Sequence, residues 1–142
     1  MNATTDGLYR PMADVIDFHR AFGVAVRDSP GDPGHDVAHL RTDLIMEECD
    51  ELLDGIKRRD MEAIADGAID LIYVTLGALA AFGIDPGPVW DAVHAANMAK
   101  LGGPVRQDGK RMKPPGWTPP DVAGCLAGQR RISESYPPGD AS

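Results

Sequence analysis

The sequence predicts an all-α fold, a four-helix bundle, on three observations. Strand-like alternation is nearly absent, whereas four segments repeat apolar residues at helical spacing. Mostly short stretches, several of them rich in Gly and Pro, separate these segments. One segment, residues 61–82, is apolar nearly all round (Ile69, Leu71, Ile72, Val74, Leu76, Leu79, Phe82) and therefore belongs at the centre of the others. A chain of 142 residues with 43% apolar positions suffices for one such core and is short for two.

The first helix is expected over residues 12–22, with Pro11 ahead of it and Gly23 as its stop. Residues 28–34, reading DSPGDPG, form a loop. The second helix spans about 36–57 and the third 61–82, ended by Gly83. On the third, Gly77, Ala78, Ala80 and Ala81 would admit another helix at close range, including one from a second subunit. The fourth begins between Pro86 and Val89 and ends near Leu101, before Gly102-Gly103-Pro104. Residues 102–121 hold too much Gly and Pro for a helix, and Asp108-Gly109 has the composition of a hairpin turn. A short helix after Pro119-Pro120 and a frayed end from about Ser133 complete the chain. The domain is thus expected at 1–128, with 102–121 as a basic substrate-binding loop and 129–142 as a flexible tail.

Charge narrows the function. The formal charge of −8 argues against a surface devoted to nucleic acid. Cys49 and Cys125 lie far apart with no C-x-x-C or Cys/His cluster, which fits a reducing, cytoplasmic setting. The N-terminus carries acids where an export signal would be basic and then apolar. The longest uncharged run, residues 71–84, falls short of the roughly 20 apolar residues that span a bilayer, so no membrane partner is expected. Charge is also segregated: residues 43–70 hold ten acids and three bases, residues 100–131 seven bases and two acids. The first half suits a cation and the second a polyanion.

The acids form a pattern. On the second helix Leu44, Ile45, Cys49, Leu52 and Ile56 define the core stripe. Glu48 sits at the edge of that stripe, Glu51 one turn along and Glu47 on the outer flank, while Asp43, Asp50 and Asp54 face solvent. Asp66 and Asp70 share a face of the third helix. No inward-facing base is evident on either helix, since Lys57, Arg58 and Arg59 cluster at a helix end. If the two helices pack antiparallel, Glu48, Glu51, Asp66 and Asp70 converge, and a hard divalent ion, Mg2+ or Mn2+, is their natural counter-charge.

Residues EE-x-x-E at 47–51, DLIYV at 70–74, FHRAFG at 18–23, AFGID at 81–85, VHAANMAK at 93–100 and DGKRMKPPGWTPPD at 108–121 resemble the all-α NTP pyrophosphohydrolases, the MazG-like superfamily. The similarity is strongest to its short, single-domain members, some of which hydrolyse dUTP. The resemblance implies an oligomeric bundle, a homodimer or homotetramer, that hydrolyses a nucleoside triphosphate to the monophosphate and pyrophosphate in a house-cleaning role. Carried onto this chain, it makes Glu48, Glu51 and Asp70 metal ligands, and Glu47 the holder of the attacking water or of a second metal. The family usually has Glu three residues before that Asp, where this chain has Gly67, and Asp66 is the best substitute. Replacing Gly67 by Glu should then restore a ligand and gain helix propensity, unless a neighbouring segment packs on that spot. Asn97, Lys100, Lys110 and Lys113, with Arg106, would engage the phosphates. Trp117 would either stack on the base or clamp the tail.

Two alternatives come from other classes. Asp91-x-x-His94 approximates one of the two motifs that a ferritin-like di-iron protein requires. A non-enzymatic helical oligomerisation module would show no metal dependence.

Overall fold

The computed structural model of the chain describes residues 6–139; residues 1–5, at the start of the N-terminus inspected for an export signal, and 140–142 of the expected tail lie outside the described residues. The elements are α1 (Asp6–Phe22), α2 (His35–Arg58), α3 (Met61–Phe82), α4 (Pro86–Met98), α5 (Val122–Gly128) and α6 (Ile132–Ser135), with no strand among the described residues. The helical class is therefore as the sequence predicts. Two compact units divide them: the chain up to Pro86 together with the segment from Arg130 onward, and Gly87–Gln129.

In the first unit α1 runs through Pro11 rather than starting after it. Pro11, its sixth residue, has no N–H to donate to the Gly7 carbonyl one turn earlier. The link between α2 and α3 is two residues long. Arg59, at φ 57°, turns the chain in the left-handed region, and Asp60 caps α3 by accepting from the Ala63 N–H. So tight a link dictates an antiparallel pair, and the side chains confirm it: Gly77 of α3 meets Arg41 of α2, Gly67 meets Leu52, and Gly55 of α2 meets Ala63 and Ile64.

The 23–34 loop returns across the end of α3. Its Arg27 and Gly31 N–H groups donate to the Ala80 and Phe82 carbonyls, both at 3.0 Å. Gly83, at φ +71°, ends α3, and a Cβ there would collide with the Ser29 backbone.

The core joins Met12, Val15 and Ile16 of α1 to Leu76 and Ala80 of α3, and to Ile132 and Tyr136 at the C-terminal end. Here the expected flexible tail is corrected over its described part. Ile132 is only 1% exposed. Asp28 binds the α6 turn, its carbonyl accepting from the Ile132 N–H and its carboxylate from the Ser133 N–H at 2.8 Å. The Tyr136 hydroxyl donates to the Asp85 carboxylate at 3.0 Å. Two apolar side chains spaced four apart were enough to dock a segment whose polar composition reads as a tail.

The central burial expected of all of α3 is corrected as well. Its last two turns, from Leu76 to Phe82, are covered, whereas Ile69 and Ile72 before them are 62% and 51% exposed. Within the unit α3 packs against α1 and α2, and two neighbours cannot surround a helix. By length and composition alone α3 could cross a membrane; it carries Asp66 and Asp70 and packs along α2.

In the second unit, α4 is followed by a small hairpin. The Arg106 N–H donates to the Lys110 carbonyl at 2.7 Å, the Gly109 N–H to the Arg106 carbonyl at 2.8 Å, and Val105 bridges Arg111. Gly109, at φ +89°, takes the left-handed position the turn needs, as the Asp-Gly pair predicts.

Candidate active site

The sequence assigns its acids to the α2–α3 pair, and the antiparallel packing brings them together. Glu48 is the focus. It is half-buried, and its Oε2 is sealed from solvent without a hydrogen-bond partner. Burial first, and then the charges of Asp70, Glu51, Glu47 and Asp66 in that order, hold its carboxyl above its ordinary value. Asp70 is half-buried, and Glu47, Glu51 and Asp66 are exposed around it. Asp43, Asp50 and Asp54 face solvent, as the helical wheel requires.

Gly67 explains how the helices come so near. A Cβ on it would lie 3.0 Å from the Leu52 Cα and 3.1 Å from the Leu52 N, so the α2 backbone occupies the space a side chain would take. The reciprocal contact at Gly55, where a Cβ would lie 3.1 Å from the Ala63 carbonyl carbon, repeats the device one turn along. The condition attached to replacing Gly67 by Glu is thus met: a segment does pack on that spot, and Glu there would wedge the helices apart.

Among the described residues, no three Asp, Glu, His or Cys side chains are gathered tightly enough to hold an ion as they stand. The donor chemistry nevertheless fits a hard divalent cation. An unpartnered buried carboxylate oxygen with four further acids around it calls for positive charge, and oxygen ligands suit Mg2+ or Mn2+.

A buried base does exist on α2, which corrects the expectation that none faces inward. Arg41 is 7% exposed and lies in the notch left by Gly77, two turns before Glu48. Its Nη1 reaches His19 Nε2 at 3.4 Å, while its Nε has no partner among the described residues. The Ala25 carbonyl can only accept, so the His19 Nδ1 at 3.0 Å carries the proton and Nε2 presents its lone pair to Arg41. Burial chiefly, and Arg41 in addition, push the His19 pKa below its ordinary value despite the Ala25 bond, and burial lowers that of Arg41. The sequence holds a signal for this: Arg41 lies three and four residues before Leu44 and Ile45, on the core stripe, and Gly77 supplies the room. The small residues of α3 thus admit side chains of this same chain at Gly77, where a partner helix was expected.

The basic residues assigned to the phosphates lie in the second unit. The Lys100 Nζ donates to Asn97 Oδ1 at 2.9 Å, joining the two residues of the N-x-x-K element. Lys113 and Lys100 both lie over the Trp117 ring, 4.6 and 5.5 Å from its centroid. Lys110 is exposed in the hairpin. Arg106 is turned onto Asp108, which it grips through Nε at 2.9 Å and through Nη2, so its charge serves the turn. His94, of the Asp91-x-x-His94 pair, is exposed.

Comparison with protein families gives a match over residues 15–97, more than half of the chain, to the family described as phosphoribosyl-ATP pyrophosphohydrolase. The matched span holds α2, α3 and every acid of the constellation. Comparison with curated proteins finds no match. The di-iron and non-enzymatic alternatives are set aside by this family match.

Proposed function

Because the chain belongs to the phosphoribosyl-ATP pyrophosphohydrolase family, and so among hydrolases that act on an acid anhydride of a nucleotide, we propose that it hydrolyses a deoxynucleoside triphosphate such as dUTP to the monophosphate and pyrophosphate. The observation that carries the reading is the buried, unpartnered Glu48 Oε2 amid Asp70, Glu51, Glu47 and Asp66. In this reading Glu48, Glu51 and Asp70 hold Mg2+ or Mn2+, Asp66 contributes where Gly67 offers no side chain, and Glu47 orients the attacking water. The ion, when bound, neutralises the phosphates, polarises a phosphoryl oxygen and makes hydroxide available near neutral pH. Asn97, Lys100, Lys110 and Lys113 supply ammonium and amide donors to the phosphate chain.

A second copy of the chain completes the bundle in this reading. The uncovered Ile69 and Ile72 of α3, with Leu53 of α2 at 49% exposure, support a homodimer or homotetramer, which sedimentation would reveal. The protein is read as cytoplasmic, with neither nucleic acid nor membrane as partner.

The test is a panel of NTPs, dNTPs and phosphoribosyl-ATP, with Mg2+ or Mn2+ and with chelator, in which nucleotide and phosphate products are identified. Metal-dependent release of pyrophosphate and a deoxynucleoside monophosphate is expected, and its loss in Glu48→Ala, Glu51→Ala and Asp70→Ala proteins that remain folded. Turnover confined to phosphoribosyl-ATP would overturn the deoxynucleotide assignment in favour of the compound that the family's description names. Activity that survives chelation would overturn the metal assignment.

A further inference from the structure

We propose that Trp117 is a positioning residue that holds Lys100 and Lys113 together as a paired-ammonium receptor for a polyphosphate, rather than a platform for the base. The proposal rests on the nucleotide reading above for its substrate, but its geometry is independent of it.

The two lysines are thirteen positions apart in sequence and are joined by the hairpin closure. Gly103 is buried, and the Met112 carbonyl lies where a Cβ would be. That approach is fixed by the Met112 N–H donating to Pro104 at 2.7 Å and by Arg111 Nη1 donating to the Gly103 carbonyl at 3.3 Å. The Gly103 N–H in turn donates to the Lys100 carbonyl at 2.9 Å. Lys100 therefore enters the closure and Lys113 leaves it.

Trp117 is tied to the same place by the end of α4. The Lys100 N–H turns to the Asn97 carbonyl at 3.1 Å, so the Ala96 carbonyl, its ordinary helical acceptor, loses that bond. The indole Nε1–H supplies a replacement at 2.7 Å. An indole pinned in this way, with two ammonium groups over its ring, has its position and its π-face already committed. The ring's negative face offsets part of the repulsion between the two cations. Asp108 of the hairpin is taken by Arg106, and the two ammonium groups call for an anion. Each ammonium carries three donors, and one of those on Lys100 is used by Asn97. A chain of phosphates, with charge spread over several oxygens, fits two cations held at one ring.

The probe is inorganic triphosphate with Mg2+, titrated by calorimetry into the full chain, with the nucleotide's KM and kcat measured in parallel. Trp117→Leu is expected to weaken triphosphate binding about tenfold and to raise KM far more than it lowers kcat, with Trp117→Phe in between. Because Trp117→Leu also removes the Ala96 bond, the decisive measurement is a cycle with Lys113→Met. The loss caused by Lys113→Met should shrink when Trp117 is already Leu or Phe. Additive losses in that cycle, or triphosphate affinity unchanged in Trp117→Leu, overturn the proposal. So does a Trp90→Phe protein whose remaining tryptophan responds to deoxyuridine alone as it does to the triphosphate. If the wild type binds triphosphate in a Trp117-dependent way yet hydrolyses no nucleotide, the proposal stands and the nucleotide reading falls. Intact hydrolysis with triphosphate affinity indifferent to Trp117 gives the reverse.

Discussion

Near the C-terminal end of α3, most buried polar groups have partners: the Tyr136 hydroxyl donates to Asp85, and His19 bridges the Ala25 carbonyl and Arg41. Nearer its start, where α2 crosses at Gly67, Glu48 Oε2 is buried without one and every neighbour that shifts its pKa is another acid. The two regions share the same helices, so local sequence preference does not separate them. The difference teaches that the matched region supplies stability, while the acidic one holds like charges that favour unfolding. Departures from complete polar satisfaction of this kind are expected at functional sites.

The comparison can be broken most forcefully from the matched end. Ile132→Ala should cost about 2–5 kcal/mol, because the side chain is completely enclosed and its loss leaves a cavity. Thermal or urea unfolding measures this. A loss near zero would show that the C-terminal segment does not belong to the core.

Gly67→Glu comes next, at about 1–3 kcal/mol of destabilisation from forcing a side chain into the α2 backbone, well above the gain of about 1 kcal/mol in helix propensity. A protein unchanged or stabilised by Glu at this position would mean that the helices separate there readily. Tyr136→Phe should cost about 1 kcal/mol, the worth of one buried hydrogen bond, again read from unfolding curves.

The smallest effects have opposite signs at the two regions. The folded-state pKa of Glu48 lies above its unfolded value near 4.5, so the native protein retains this proton when the unfolded chain has lost it. In metal-free buffer, stability from this group is full below 4.5 and is lost as pH rises through the higher folded pKa. Glu48→Gln should therefore raise the melting temperature at neutral pH and abolish that dependence. His19 behaves the other way. Its folded pKa lies below 6.5, so the unfolded chain takes up the proton first, and stability falls as pH drops from 6.5 towards the folded value. Melting temperatures of wild type and His19→Asn across this range should converge on acidification. Parallel curves would mean that His19 titrates alike in both states.

By itself, the sequence determined what is local. The period of the apolar residues set the four long helices to within a few residues, save the start of α1, six residues ahead of the expected one, and the same period put Glu48 at the edge of the core stripe and Asp43, Asp50 and Asp54 in solvent. Asp-Gly set the hairpin. What only the tertiary structure decided are contacts between residues far apart in sequence: Arg41 and His19 in the notch at Gly77, the α2 backbone against Gly67, Ile132 and Tyr136 in the core, and two lysines on one indole. A helical period reports which face turns inward but not which side chain fills the space opposite a glycine. That is settled by which helices pack and at what distance.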